Sequence, residues 1–225
     1  MGKKPLLFLG GLGAPVAVFA PWFAVLRWFG YDIHRVPNSF FTCDPVSRFA
    51  ANLVEASSRF ERVDVLGVSY GGNAAVYAAC LSPEFSARVG RMVAVCAPLL
   101  GTPGLLDPVM RLVPRSFART LEEMARDSPV VNRIRELGSA GPIPFELHCL
   151  YHDRDTMAPM ERATLPKVST NHRLDFAWKA VPGLAMHQAA CINPKTLDTV
   201  IQILLGPAKP APTSAKKPEG HGQGT

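Results

Sequence analysis

The chain has 225 residues, of which 48% are hydrophobic and 19% charged, and its formal net charge is +6. This composition excludes an intrinsically disordered chain, and the length suits one domain with a sizeable core. The charge argues against nucleic acid as a partner: part of it sits in the tail (Lys209, Lys216 and Lys217 against Glu219), and no basic stripe interleaved with aromatics occurs, which leaves only a weak attraction to anionic membrane surfaces or acidic substrates.

Lys3 and Lys4 precede an uncharged stretch over residues 5–26 that has the outline of a signal peptide, cleavable after Ala20, or of a membrane span. Pro5, Pro15 and Pro21, with Gly10, Gly11 and Gly13, would break a spanning helix. The stretch reads better as a strand (residues 6–9), a glycine loop (10–13) and a helix (16–28) of a cytoplasmic domain. A strand over residues 31–36 follows, then an amphipathic helix over 45–60 with Phe49, Leu53 and Ala56 on one face. Next come a strand over 63–68, a helix over 70–81 and a strand over 91–96. From residue 97 to 144 seven prolines punctuate short helical pieces, such as 117–126 and 130–137, as a cap inserted over one sheet face would do. Strands over 145–151 and 173–178 and a closing helix over 196–205 complete the domain. Strand-like and helix-like runs in alternation predict an α/β fold with a mostly parallel sheet flanked by helices. The domain spans residues 1–206, with a cap at about 101–144, and the Pro/Ala/Lys/Ser/Gly tail, 207–225, is expected to be disordered.

Five cysteines (Cys43, Cys80, Cys96, Cys149, Cys191) form no CxxC, which suggests neither a disulfide framework nor a zinc site, and buried free thiols are the plain reading. The strongest chemical signal is Gly67-Val68-Ser69-Tyr70-Gly71, a G-x-S-x-G string between a predicted strand and a predicted helix. A serine in so sharp a turn needs neighbours without side chains at Gly67 and Gly71, and the turn pushes its hydroxyl out over the sheet end. An acyl group attacked there needs two N–H donors for its oxyanion. Tyr70 N–H is one by construction, and the loop Gly10-Gly11-Leu12-Gly13 supplies the other, best placed at Leu12. The alternative, a phosphate-binding loop, lacks both the Lys-Ser/Thr pair and G-x-G-x-x-G spacing.

The serine also needs a base and an orienting acid. Of six histidines, His34 and His148 lie in strand patterns, His172 opens a strand, His152 flanks the acid candidates and His221 is in the tail. His187, in a predicted loop between the last strand and the closing helix, is the best base. Asp153 and Asp155, just past a strand, are both candidates for the acid, and either could instead serve a turn.

In order along the chain, several segments resemble the small bacterial lipase and esterase branch of the α/β-hydrolases. They are Leu6 to Gly13, Val63 to Gly72, Pro98-Leu99-Leu100-Gly101-Thr102-Pro103, Met124 to Pro129, Tyr151 to Pro159 and the surroundings of His187. The resemblance implies the α/β-hydrolase fold and an esterase or lipase-like serine hydrolase. It selects Asp155, because Asp155-Thr156-Met157-Ala158-Pro159 fits the family's D-x-x-x-P frame and Asp153 does not. Two departures separate the chain from true triacylglycerol lipases: Val68 stands where the family often has His, and Gly104 follows Pro103 where the family has Pro-His. The expected activity is cleavage of a small acyl ester or lipid through an acyl-enzyme on Ser69, Asp155 and His187, with no metal or organic cofactor. Apolar cap residues (Leu105, Leu106, Val109, Met110, Leu112, Val113) are candidates for the acyl pocket or for core packing. A thioesterase or acyltransferase would use the same three residues. A non-catalytic binding module on the same fold is the rival from another class.

Overall fold

In a computed structural model, residues 2–12, 14–38, 44–102, 115–176 and 184–207 are described. Gly13, Cys43, the six apolar cap residues, Trp178 and residues 208–225 of the tail lie outside them. Among the described residues six strands form one sheet: β1 (Lys4–Leu9), β2 (Tyr31–Arg35), β3 (Val63–Val68), β4 (Val89–Val95), β5 (Glu146–Tyr151) and β6 (Ser169–Arg173). The order is β2-β1-β3-β4-β5-β6 and every pairing is parallel. The chain winds outward from β1 to β2, then returns past β1 to begin β3. The point where winding reverses lies between β1 and β3, and a crevice opens there beyond the carboxyl ends of the strands.

Helices cover both faces, which is why the central strands are apolar runs rather than alternating patterns. Leu7, Leu9, Val63 and Val65 pack with Phe49 and Leu53 of α2 (Val46–Ser57) and with the alanines of α3 (Tyr70–Leu81). Leu6, Phe8, Leu66 and Val68 pack on the opposite face with Phe23 and Leu26 of α1 (Ala20–Trp28). The apolar N-terminal stretch is thus a central strand, a 3-10 turn (Val16–Phe19) and a short helix. No described helix is long and apolar enough to cross a membrane.

Four elements escape the sequence pattern or shift from it. A helix, α4 (Pro83–Arg88), starts at Ser82, whose hydroxyl accepts from Phe85 N. After α5 (Arg115–Glu123), α6 (Pro129–Ser139) and β5, a single turn, α7 (Met160–Ala163), precedes the edge strand. That strand is Ser169–Arg173, not residues 173–178. An edge strand half open to solvent reads as polar, S-T-N-H-R, while the buried Leu174 and Phe176 that suggested a strand lie beyond it. Residues 184–192, expected as a loop, begin the helical finish, α8 (Leu184–Ile192) followed by α9 (Pro194–Leu205).

The far end of the sheet is locked by a buried polar cluster. The Arg91 guanidinium donates to the carbonyls of Leu204 in the last turn of α9 (2.7 Å) and of Gly206 just after it (2.6 Å). Tyr31 Oη donates to the same Leu204 carbonyl (2.7 Å), and Asp64 accepts from Arg91 N (2.9 Å). Arg91 also pairs with Glu146 at 3.4 Å. Removing the guanidinium strips the charged donor from Gly206 O and from Leu204 O, which keeps only Tyr31 Oη, and breaks the pair with Glu146. Arg91→Met is therefore expected to destabilise the fold by about 3 kcal/mol. Urea denaturation measures this, and a loss below about 1 kcal/mol, the net worth of one hydrogen bond, would contradict the cluster's role.

Candidate active site

Ser69 closes β3 and opens α3 with φ 52° and ψ −122°, a conformation an L-residue adopts only under constraint. Its amide donates to Val95 O on β4 (2.7 Å), and its carbonyl accepts from Gly72 N (2.8 Å). The turn is possible because its flanks are bare. A Cβ on Gly67 would lie 2.6 Å from Gly71 O, and one on Gly71 would lie 2.4 Å from Leu9 O. A Cβ on Gly72 would meet that of Ala97 at 2.5 Å, so α3 rests directly on the sheet. The β1 loop comes up beside the turn: a Cβ on Gly11 would sit 3.5 Å from Ser69 Cβ.

His187 lies in the first turn of α8, not in a loop, between the buried Met186 and Ala190. Its Nε2 is 2.7 Å from Ser69 Oγ, and its Nδ1 is 2.7 Å from Asp155 Oδ2. Asp155 is 1% exposed and His187 7% exposed. The other carboxylate oxygen of Asp155 accepts from Met157 N (2.9 Å) and Ala158 N (3.0 Å), which fixes the group in a turn closed by Asp155 N on His152 O (2.9 Å). Burial disfavours the charged imidazole of His187, but the Cys191 thiol and the Asp155 carboxylate outweigh it and hold the group above the ordinary histidine value.

The other candidates fall elsewhere. Asp153 is half-exposed and pairs with Arg173 of β6 at 2.7 Å, not with its neighbour Arg154. His152 is buried against Phe176, and its Nδ1 accepts from Arg154 N (3.1 Å). His148 and His172 meet each other at 3.0 Å across β5 and β6, and His34 meets Asp32 at 3.0 Å. Among the described residues no group of three or more His, Cys, Asp or Glu is placed to hold a metal ion.

A pocket of about 250 Å³ opens over Ser69 and His187. Leu12, Ala14, Val18, Phe19, Val68 and Ile192 give it apolar walls, and Gln188 is a polar side chain on its rim. Gln188 and Ile192 had no signal in the sequence, and Cys191 read only as a buried thiol, because α8 did not show as a helix. With His187 placed in a helix, Cys191 at i+4 falls on the same face. Cys191 Sγ lies 3.9 Å from His187 Nε2.

No protein-family model matches the sequence, and no curated protein matches it either. Solved structures do. An α/β hydrolase enzyme from the metagenome of lagoon sediments of Mar Chica, Morocco, is 19% identical over 90% of each chain, with a TM-score of 0.63. A metagenomic carboxyl esterase is 16% identical over 91% of this chain and 77% of its own, at a TM-score of 0.62. Lipase B of Aspergillus fumigatus is 18% identical over 76% of this chain, at a TM-score of 0.58, and this chain spans 44% of its length. The parallel sheet with its reversal between β1 and β3, the serine turn at that reversal and these structural matches together show that the chain has the α/β-hydrolase fold.

Proposed function

We propose that the protein is a serine hydrolase that cleaves carboxylic esters of small, uncharged, apolar acyl groups through an acyl-enzyme. One observation carries this reading: Ser69 Oγ, His187 and Asp155 form a continuous hydrogen-bonded line, 2.7 Å at each link, at the floor of an apolar pocket. His187 Nε2 takes the Ser69 proton as Oγ attacks the ester carbonyl, and the negative charge gathers on the carbonyl oxygen. The amides of Tyr70 and Leu12 are the proposed donors to that oxyanion. Tyr70 follows the serine at the start of α3, and Leu12 lies on the same pocket wall. His187 then protonates the leaving alcohol. Water, deprotonated by the same nitrogen, releases the acid. Asp155 keeps Nδ1–H oriented and stabilises the imidazolium throughout.

A fluorophosphonate probe followed by peptide mapping tests the reading. The adduct is expected on Ser69, with turnover of p-nitrophenyl acetate and butyrate lost in parallel. A protein that turns over neither ester and takes no adduct at Ser69 is not this enzyme.

The environment of His187 also sets a pH dependence. The base must be neutral to accept the proton, and its pKa is raised from the ordinary 6.5, so protonation silences the enzyme at pH values where a free imidazole would already be neutral. The acid limb of kcat/KM is expected to have its midpoint above 6.5. A pH profile with p-nitrophenyl acetate reads it directly, and a midpoint at or below the ordinary value would contradict the charge balance around His187.

A further inference from the structure

The pocket over Ser69 opens beyond the carboxyl ends of the strands, and the opposite end of the sheet carries a surface of another kind. Helix α1 buries Trp22, Phe23 and Leu26. Trp28 follows Leu26 by two residues, roughly 200° around the helix, so it leaves the packed face. It is 81% exposed, and Phe29, 37% exposed, meets it edge-on with ring centroids 4.8 Å apart. After Phe29 the chain turns at Gly30 (φ 90°), whose carbonyl accepts from Lys4 N (3.0 Å), which puts the start of β1 next to the aromatic pair. Leu205 is exposed at the same end, one residue after the carbonyl that accepts from Tyr31 Oη.

Beside Lys4 the beginnings of β1, β3 and β4 leave a recess of about 220 Å³, lined by Lys4, Arg62, Asp64 and Arg91 among others. The bare Gly90 makes room in it: a Cβ there would lie 2.8 Å from Asp64 Oδ1 and 3.2 Å from Arg62 Nε. Lys3, Lys4, Arg27 and Arg62 are exposed, and no ion pair among the described residues involves any of them. The carboxylates at this end are mostly engaged. Asp64 accepts from Arg91 N (2.9 Å) and from Tyr31 Oη (3.3 Å), Glu146 pairs with Arg91, and Asp32 meets His34 at 3.0 Å. Glu61, next to Arg62, is an exposed carboxylate, so cations prevail on this surface.

We propose that this end of the molecule docks on an anionic phospholipid bilayer: Trp28 and Phe29 enter the headgroup layer, the recess between Lys4 and Arg62 takes a lipid phosphate, and the pocket over Ser69 faces water. Aromatic rings are favoured at headgroup depth, and basic side chains around them are drawn to anionic lipid. The same charges disfavour a second copy as the occupant. A two-fold contact through Trp28 would press Lys3, Lys4 and Arg27 of one copy against those of the other. Two rings and four cations make a reversible contact that salt weakens, not a permanent anchor. Because the catalytic pocket lies at the other end of the sheet, a docked molecule draws its ester from solution and not from the bilayer. That consequence rests on the hydrolase reading, whereas the docking does not.

The full-length protein is sedimented with vesicles of phosphatidylcholine alone and of equal parts phosphatidylcholine and phosphatidylglycerol, at low and at high salt. Binding is expected to the anionic vesicles only, and high salt should weaken it. Trp28→Ala and Arg62→Gln, both at exposed side chains, should each lower the partition coefficient by about 5-fold or more. Tryptophan emission should shift to the blue on binding. Trp28→Phe, which keeps an apolar ring, should bind without that shift. Equal binding to neutral vesicles, binding to neither kind, or wild-type binding by both Trp28→Ala and Arg62→Gln would overturn the proposal. Bound protein should turn over dissolved p-nitrophenyl acetate at the rate of free protein, and a loss of turnover on binding would overturn the outward-facing pocket. A protein that binds as expected but hydrolyses no ester, free or bound, would support the docking surface and overturn the hydrolase reading instead.

Discussion

Ser69→Ala is expected to lower kcat for p-nitrophenyl esters by a factor on the order of 10³–10⁶, the range in which single losses from such constellations fall. The variant should lose fluorophosphonate labelling altogether. The effect should be chemical and not structural. The Ser69 backbone is held by Val95 O and Gly72 N, neither of which involves the hydroxyl, and alanine meets the same positive φ that serine already tolerates. The hydroxyl's partner is His187 Nε2, which keeps Asp155 on its other side after the change. The melting temperature should therefore stay within about 2 °C, a shift that corresponds to about 0.5–1 kcal/mol for a domain of this size. Residual turnover above about 1% of wild type, or an adduct that moves to Cys191, would remove Ser69 from the role proposed for it.

The serine turn was legible because its chemistry and its sterics make the same demand. Only glycine can stand at positions 67 and 71 when a Cβ there would lie 2.6 Å or 2.4 Å from backbone oxygen, so the motif is written in residue types. The central strands were legible for a similar reason: the last four residues of β1 and of β3 are buried on both faces, and a run without charge there leaves few alternatives. Edge and capping elements were not. Strand β6 exposes most of its side chains and carries no apolar signature, so the pattern settled on Leu174 and Phe176, which are buried by packing beyond the strand. Helix α8 is buried by small and mixed residues, L-A-M-H-Q-A-A-C-I, with almost no amphipathic contrast and with Pro182-Gly183 just before it, a pair that reads as a turn. Missing that helix put His187 in a loop, and it left the position of Cys191 one turn from His187 unread. Helix α4 is one turn and a half behind a Ser82-Pro83 start, a cap signal that was present but too short to register as periodicity.

Asp155→Asn is expected to reduce kcat by about 10⁴ with little loss of stability, whereas Asp153→Asn should leave both nearly unchanged. The two aspartates are two residues apart, and sequence alone left both open until the D-x-x-x-P frame favoured the second. Their surroundings now separate them. Asp155 Oδ1 accepts two backbone amides, from Met157 and Ala158, and an asparagine carbonyl can keep both bonds. That choice leaves its NH₂ facing His187 Nδ1, where Oδ2 of the carboxylate lies 2.7 Å away. A donor there forces Nδ1 to become the acceptor and moves the ring proton to Nε2. His187 then presents N–H to Ser69 Oγ and cannot take its proton. The imidazolium also loses the carboxylate that stabilises it, so the acid limb of the pH profile should move to lower pH in whatever activity remains. Asp153 offers a contrast: its ion pair with Arg173 is between side chains 49% and 64% exposed, and exposed pairs contribute at most about 1 kcal/mol. Steady-state kinetics beside urea denaturation reads both variants. Equal losses of rate in the two, or an Asp155→Asn enzyme within 10-fold of wild type, would mean that the Asp155–His187 contact does not orient the base.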